Sequence, residues 1–257
     1  MDIHRLSSTN SSGNTVIDRL LLTMLFATEH EITSQDLFLM TDRYDTTGNS
    51  EGQYQPGSQE LVLLNKLGIT ELQKMENTEF DHLIQFQVAL FDELLIDQQI
   101  TSKDLCEWHR RWLGDIYAWA GNYRTVTMSK GGFPFAAVPQ LPALMEKFEQ
   151  QYLQKYTPCN EFKRNDLVEA MAICHVEFII IHPFREGNGR LGRLLATVMA
   201  LQAGMPALDF EPVEKNKDRY IEAIHAGHGC NYEPMKLIFS EILDFSLQQI
   251  SRNENNE

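Results

Sequence analysis

From residue 59 onward, apolar residues recur with the three- and four-residue spacing of amphipathic helices. Residues 80–95, for example, carry apolar side chains at positions 80, 83, 84, 86, 88, 90, 91, 94 and 95. The same spacing predicts helices over residues 105–119, 139–152, 165–181, 191–203, 215–225 and 233–250. Gly204 follows 191–203 directly, at the position where a glycine commonly ends a helix.

One segment interrupts the helical spacing. Residues 125–129 (TVTMS) alternate apolar and polar side chains, two glycines follow, and Pro134 lies between two phenylalanines. This pattern predicts a short β-hairpin whose return strand is an edge strand, because proline cannot donate a ladder hydrogen bond. The predicted fold class is therefore all-α with one small hairpin.

The chain divides into four predicted regions. Residues 1–14 are rich in Ser, Asn and Thr and are predicted to be disordered. Residues 15–53 are predicted to form a helical arm and a linker, because turn-forming residues are dense from 45 to 57. Residues 54–245 form the main helical domain, and residues 246–257 a C-terminal tail.

Composition limits the classes of partner. The 257 residues carry 22 Lys+Arg against 36 Asp+Glu, a net charge of −14, so no direct binding of nucleic acid is expected. Four cysteines without a CxxC pair argue against a disulfide framework or zinc site. The most apolar stretch, residues 16–27, is too short to span a membrane. We therefore expect a soluble, cytoplasmic protein, with delivery into another cell left open.

The segment that carries the most chemistry is residues 182–193, HPFREGNGRLGR, between two predicted helices. Gly187, Asn188 and Gly189 can turn successive backbone N–H groups toward one point, and a helix begins directly after them. Arg190 and Arg193 are three residues apart, on one helix face near that helix start. This arrangement suits a polyphosphate.

The same segment contains a base and a metal ligand. His182 is suited to accepting a proton near neutral pH, and Glu186 is an oxygen ligand of the kind that Mg²⁺ takes beside phosphates. Together with the anion site they indicate phosphate-transfer chemistry. Two other interpretations stay open: a dinucleotide-binding GxGxxG at residues 187–192, which would need a strand directly before it, and a plain solvated turn.

Other candidate residues carry weaker signals. His225, His228 and Cys230 are of ligand-like types, but a third spaced pair is lacking, so we predict a loop before the last helix. The remaining aromatic and histidine residues at helical spacing are predicted to be structural; they are Trp108, Trp112, Trp119, His109 and His175.

Residues 182–193 resemble the signature of the Fic family, His-x-Phe-x-(Asp/Glu)-Gly-Asn-Gly-Arg-x-x-Arg, with every defined position filled. Residues 54–58 and 64–69 resemble the first segment of Fic toxins, 116–126 resemble the approach to the Fic flap, and 235–243 resemble the closing helix. The resemblance thus extends from residue 54 to residue 243.

The resemblance implies an all-helical enzyme that transfers AMP from Mg-ATP to a Tyr, Thr or Ser hydroxyl of a target protein. It implies that His182 is the base, that Phe184 anchors the loop and that Glu186 holds Mg²⁺. It implies phosphate contacts for Gly187, Asn188 (backbone and side chain), Gly189, Arg190 and Arg193. It also implies a target-docking flap made of Thr125, Val126, Thr127, Met128, Ser129, Lys130, Gly131, Gly132 and Phe133.

Alternatives remain within this resemblance. Relatives that phosphorylate their targets carry Lys where Gly189 stands, so the glycine argues against that activity. Transfer of another phosphate-linked group stays open, and so does a non-catalytic nucleotide-binding module, although an intact His182 argues against the module. The target is unknown, and self-modification is compatible with the resemblance.

A further expectation concerns control. Fic enzymes are commonly restrained by a helix with Ser/Thr-x-x-x-Glu-Gly/Asn, whose Glu pairs with the last Arg of the signature. Residues 47–52 (TGNSEG) match it once, which makes Glu51 a candidate inhibitor of Arg193. Because three poor helix formers and a nearby proline surround Glu51, we prefer restraint by a separate antitoxin protein or by the arm.

Overall fold

The computed structural model describes residues 50–130 and 132–254. The disordered segment expected over residues 1–14, the helical arm expected before residue 50, and Gly131 of the flap lie outside the described residues. The described chain includes all of the 182–193 segment, so the structure bears directly on the candidate chemistry.

Helices account for most of the described chain. The α-helices in it are α1 Leu72–Glu93, α2 Ser102–Leu113, α3 Leu141–Phe148, α4 Gln154–Tyr156, α5 Arg164–Ile181, α6 Asn188–Gln202, α7 Glu211–Glu214, α8 Lys217–His228 and α9 Glu233–Glu254. A π-helical turn, Glu149–Leu153, joins α3 to α4, and 3₁₀ turns cover Ser50–Gly52 and Val138–Gln140. No helix among these residues is long and apolar enough to cross a membrane.

Helix α5 forms the centre of the hydrophobic core. It is apolar on all sides, and 12 of its 18 residues are buried, as expected for a helix surrounded by other helices. Helices α3, α6, α8 and α9 pack around it. Because α5 and α6 are neighbours in the core, the loop between them, residues 182–187, is held at both ends by rigid structure.

The predicted hairpin is present. Strand β1, Ser129–Lys130, pairs antiparallel with β2, Phe133–Pro134, in the register Ser129 to Pro134 and Lys130 to Phe133. The Phe135 N–H also donates to the Met128 carbonyl at 3.0 Å. The structure thus confirms an all-α fold with one small hairpin.

Several helix ends differ from the sequence prediction. Helix α2 starts at a capping box between Thr101 and Asp104 and ends at Leu113, six residues earlier than predicted. Its carbonyl at Arg110 accepts the N–H of Gly114, where the chain turns away from the helix. Helix α9 continues to Glu254, so the boundary predicted at residue 246 falls inside a helix. The end of α6 was predicted correctly, since Gly204 has φ +73° directly after the C-cap.

Candidate active site

His182 lies at the C-terminal end of the buried helix α5. It has left-handed backbone geometry, φ 53°, and its N–H donates to the Phe178 carbonyl at 3.0 Å. Its own carbonyl accepts from Nε of Arg124 at 2.7 Å. The backbone of His182 is therefore fixed from both sides, and the chain turns sharply there into the 182–187 loop.

The surroundings of the His182 ring show which of its two nitrogens carries the proton. Nδ1 lies 3.3 Å from the Ile179 carbonyl oxygen, which can only accept, so Nδ1 carries the proton and Nε2 keeps its lone pair. The Phe135 ring stacks on the imidazole at 3.7 Å between centroids and 10° between planes. Burial lowers the pKa of His182 to about 3, so the ring is neutral near pH 7. An accepting Nε2 on a neutral ring is what a general base requires.

Helix α6 begins directly after the loop with an anion-binding geometry. Its N-cap is Gly187 with φ 81°, and a Cβ there would lie 2.7 Å from Cζ3 of Trp112, so only glycine fits. The N–H groups of Asn188, Gly189 and Arg190 stand in the first turn, where a helix offers no acceptor of its own. The Gly187 N–H donates to Oε1 of Glu186 at 2.9 Å. The helix start therefore favours a negatively charged ligand.

The Asn188 side chain holds the 182–187 loop closed. It is buried, and it bonds both backbone groups of Phe184: Oδ1 accepts from the N–H at 2.9 Å, and Nδ2 donates to the carbonyl at 2.8 Å. Both ends of this amide therefore help to close the loop, and its expected reach toward phosphates stays a prediction. Phe184 itself is fully buried, in the anchoring position expected of it.

The two arginines of the motif have different surroundings. Nη2 of Arg190 lies 2.6 Å from the buried carboxylate of Glu79 and 3.4 Å from Glu186, and the guanidinium lies over the Trp112 ring at 4.6 Å. The second Glu79 oxygen accepts from the Tyr117 hydroxyl at 2.6 Å. Burial raises the pKa of Glu79, and the adjacent Arg190 charge opposes that rise. Arg190 is thus already held by carboxylates.

Arg193, in contrast, forms no ion pair with any carboxylate among residues 50–130 and 132–254. Its guanidinium lies 5.9 Å from the centre of the Phe210 ring. The candidate inhibitor Glu51 is placed elsewhere: its carboxylate accepts the Thr125 N–H at 2.7 Å, and its carbonyl accepts from Nε of Arg185 at 2.7 Å. The structure therefore brings Glu51 to the start of the flap and not to Arg193.

The flap lies close to both His182 and helix α8. Among its expected residues Val126 and Met128 are buried, whereas Ser129 and Lys130 in β1 are exposed. Phe133 stacks on His225 at 4.9 Å and meets the edge of His228 at 5.5 Å. These two histidines lie in the last turn of α8, not in a loop as predicted, because that helix continues to His228. No three His, Cys, Asp or Glu side chains of the described chain form a metal-binding group.

Sequence reasoning missed several residues that shape the site. Arg124 donates to three carbonyls, those of His182 and Val126 at 2.7 Å each and that of Ala136 at 2.5 Å. It therefore joins both ends of the flap to the backbone of His182. Glu79 and Phe135 were missed as well. Their sequence neighbourhoods carry no signal, since each acts on a residue that is distant along the chain.

These features define a class of site: a buried neutral histidine beside a helix N-terminus that favours a negatively charged ligand. A family model described as Fic/DOC family matches residues 99–200, which include His182, the loop and the start of α6. The part of the chain that contains His182 and the start of α6 is thus similar to the Fic/DOC family.

Relatives of known name agree with this assignment. Over 158 residues, 61% of this chain, it is 28% identical to protein adenylyltransferase VbhT of Bartonella schoenbuchensis. Over 111 residues, 42% of this chain, it is 35% identical to protein adenylyltransferase Fic of Drosophila grimshawi. The matched parts span only 32% and 22% of these relatives' own lengths.

A solved structure shows the same fold. The BepC protein of Bartonella tribocorum, a VirB-translocated effector crystallised with bound AMPPNP, superposes with a TM-score of 0.59 at 24% identity. The superposition covers 70% of this chain and 91% of that one.

Proposed function

We propose that this protein transfers AMP from ATP to a hydroxyl side chain of a target protein. The observation that carries the proposal is the His182 ring: its Nδ1 proton is directed at the Ile179 carbonyl, so Nε2 is left to accept a proton. The names of the relatives support AMP as the transferred group, and the AMPPNP bound to BepC supports an adenine nucleotide as its source.

In the proposed reaction, Nε2 of His182 accepts the proton of a Tyr, Thr or Ser hydroxyl while that oxygen attacks the α-phosphorus. A new P–O bond forms, the bond to the β-phosphate oxygen breaks, and pyrophosphate leaves. The first N–H groups of α6, on Asn188, Gly189 and Arg190, stabilise the charge on the phosphates. Arg193, without a carboxylate partner in the described chain, would meet the terminal phosphate.

The chain also offers residues that fit a magnesium ion. Glu186 supplies a carboxylate at the mouth of the loop, with 36% of its side chain exposed, directly before the anion-binding helix start. A hard oxygen ligand beside phosphate oxygens is the environment that Mg²⁺ prefers. When bound there, the ion would neutralise phosphate charge and assist departure of pyrophosphate.

We further propose that the flap docks the target. Strand β1 is exposed and pairs with β2, and an extended segment of the target would add to this hairpin as a further strand. We place this activity in the cytoplasm, as a toxin or effector restrained by a separate antitoxin protein or by the arm. The target itself and any self-modification are matters for experiment.

The test of this function uses two labels. The protein is incubated with Mg²⁺, a bacterial lysate and either [α-³²P]ATP or [γ-³²P]ATP. We expect labelled protein bands with the α label and none above background with the γ label. Bands with the γ label alone would indicate phosphorylation, and no bands in either reaction would favour a non-catalytic nucleotide-binding module.

Replacing Glu186 tests the metal role. We expect Glu186→Ala to lose transfer and also the response to added Mg²⁺, because the proposed oxygen ligand is removed. Glu177→Ala, which changes a carboxylate away from the loop, is the matched control and should keep the response. The measurement is the rate of transfer against Mg²⁺ concentration, and wild-type transfer in excess EDTA would contradict the metal role.

Changing Glu51 tests the site of restraint. Glu51 accepts from the Thr125 N–H and not from Arg193. We therefore expect Glu51→Gly to raise the rate of self-modification by less than about tenfold, which corresponds to lowering the activation barrier by less than about 1.4 kcal/mol. The comparison includes wild type and a truncated chain that starts at Thr46. Activation by Glu51→Gly alone would identify Glu51 as the inhibitor. Activation by truncation alone would identify the arm, and activation by neither would leave the restraint to a partner protein.

The pH profile tests the environment of the base. With the pKa of His182 lowered to about 3 by burial, the ring stays neutral as the pH falls through the ordinary histidine range near 6.5. We expect kcat/KM of the free enzyme to show no acid limb from about pH 5 to about pH 8. Phe135→Ala, which uncovers the ring, should move an acid limb upward toward that range. An acid limb near pH 6.5 in the wild type would contradict the burial of the base.

A further inference from the structure

His109 contacts the 182–187 loop from helix α2. It is fully buried, and its ring stacks on Phe184 at 4.1 Å between centroids and 8° between planes. Both ring nitrogens have a backbone partner: Nε2 lies 3.0 Å from the Glu186 carbonyl oxygen, and Nδ1 lies 2.8 Å from the Gly121 nitrogen. A residue expected to be merely structural thus contacts two positions of the motif.

These two contacts leave one arrangement of protons. The Gly121 N–H can only donate, so Nδ1 of His109 must accept and carries no proton. The Glu186 carbonyl can only accept, so Nε2 must carry the proton and donate. A neutral ring protonated at Nε2 satisfies both partners, and no other form of the ring does.

The Gly121 contact depends on local geometry that only glycine allows. Gly121 has φ 85°, and a Cβ there would lie 2.7 Å from Cβ of Arg110. The turn therefore packs directly on α2, which brings its N–H to the buried ring. Helix α2 and this turn together hold His109 in place, and His109 in turn holds the loop.

From this geometry we infer that His109 is a positioning residue for Glu186, the residue to which the proposed function assigns the metal. The Nε2–H bond fixes the peptide oxygen of Glu186, and the stacked ring fixes Phe184 two residues earlier. The backbone that carries the Glu186 side chain is then held before Glu186, at Phe184, and after it, at the Glu186 carbonyl. The effect on metal binding rests on the proposed function. The position of His109 rests on its two hydrogen bonds alone.

Two substitutions of His109 each keep one of its two hydrogen bonds and remove the other. The amide of asparagine reaches the position of Nδ1, so His109→Asn can still accept from Gly121 but cannot reach Glu186. The amide of glutamine reaches the position of Nε2, so His109→Gln can still donate to Glu186. Both variants lose the ring and its stacking on Phe184. Their free energies of unfolding should therefore fall by similar amounts, which makes each the control for the other.

The main readout is the Mg²⁺ concentration that gives half-maximal binding of ATP, which requires no catalytic turnover. Partners that orient metal ligands typically contribute about 10–100-fold to metal affinity or activity. We expect His109→Asn to raise that Mg²⁺ concentration by about tenfold or more and to lower kcat, and His109→Gln to stay close to wild type. Equal shifts in the two variants, or no shift in His109→Asn, would overturn the inference.

A second measurement stands even if a variant does not fold. In ¹⁵N-histidine-labelled wild-type protein at pH 7, long-range ¹H–¹⁵N spectra should show His109 protonated at Nε2 alone. Protonation at Nδ1 would overturn the inference. If wild type transfers no AMP, the proposed function fails, whereas the tautomer and the Mg²⁺-dependent ATP binding still decide the role of His109.

Discussion

His182→Ala should lower the rate of AMP transfer by about 10²–10⁴-fold, the usual contribution of a general base. In the proposed reaction the accepting atom is Nε2, because Nδ1 lies against the Ile179 carbonyl. Alanine removes that acceptor and leaves the N–H groups of α6 and the Arg193 guanidinium in place. The loss should therefore appear in kcat, with the Kd for ATP nearly unchanged.

The measurement is single-turnover transfer together with direct ATP binding for wild type, His182→Ala and His82→Ala. His82 is a half-buried histidine of α1, outside the site, and its replacement should leave both quantities close to wild type. If His182→Ala keeps more than about a tenth of wild-type transfer, His182 is not the base.

The second large effect concerns stability. Glu79→Ala should lower the free energy of unfolding by about 3 kcal/mol, since removing this partner of a buried ion pair leaves the Arg190 charge with only the longer 3.4 Å contact to Glu186. We expect the lower end of the range known for such pairs, because 26% of the Arg190 side chain is exposed. The Tyr117 hydroxyl loses its acceptor at the same time.

A matched control for this variant lies on the surface of the same helix. Glu93, also in α1, forms an ion pair with Arg111, but 59% of the Glu93 side chain is exposed. Exposed pairs contribute about 0–1 kcal/mol, so Glu93→Ala should change the free energy of unfolding by no more than that. Denaturant unfolding measures both variants. Equal losses in the two would show that the Glu79–Arg190 pair has no special role in holding the motif helix.

The part of the site that is contiguous in sequence was predictable. Residues 182–193 contain the base, the loop and the helix start in one stretch, so local rules about glycine, helix ends and charge were sufficient. The contacts that hold this stretch could not be predicted from spacing. Glu79 and Arg190 are 111 residues apart, and His109 and Glu186 are 77 apart. They meet because α1 packs on α2 and α2 packs on α6.

The incorrect helix end has a similar cause. Trp119 continues the apolar spacing of α2, so the pattern predicted a helix to that point. In the structure the helix stops at Leu113, and Trp119 reaches the core from a turn, stacked on Tyr117 at 4.5 Å. Burial alone made it look helical, because a buried turn and a buried helix face place apolar residues at similar intervals.

The Asn188 side chain shows what the sequence alone does not decide. A polar side chain inside an anion-binding loop looks like a ligand from sequence, yet this one closes the loop on the backbone of Phe184. A buried amide needs partners, and the nearest unsatisfied backbone groups provided them. Sequence shows which groups are available, whereas the fold decides which of them meet.

The central claim is that the transferred group is AMP and that it becomes attached to a hydroxyl. The most direct test is fragmentation mass spectrometry of a protein modified by the wild-type enzyme with unlabelled ATP and Mg²⁺. The account predicts a peptide that carries adenine, ribose and one phosphate on a Tyr, Thr or Ser side chain. A modified peptide with phosphate but no adenine, or with the nucleotide on a side chain other than a hydroxyl, would contradict it.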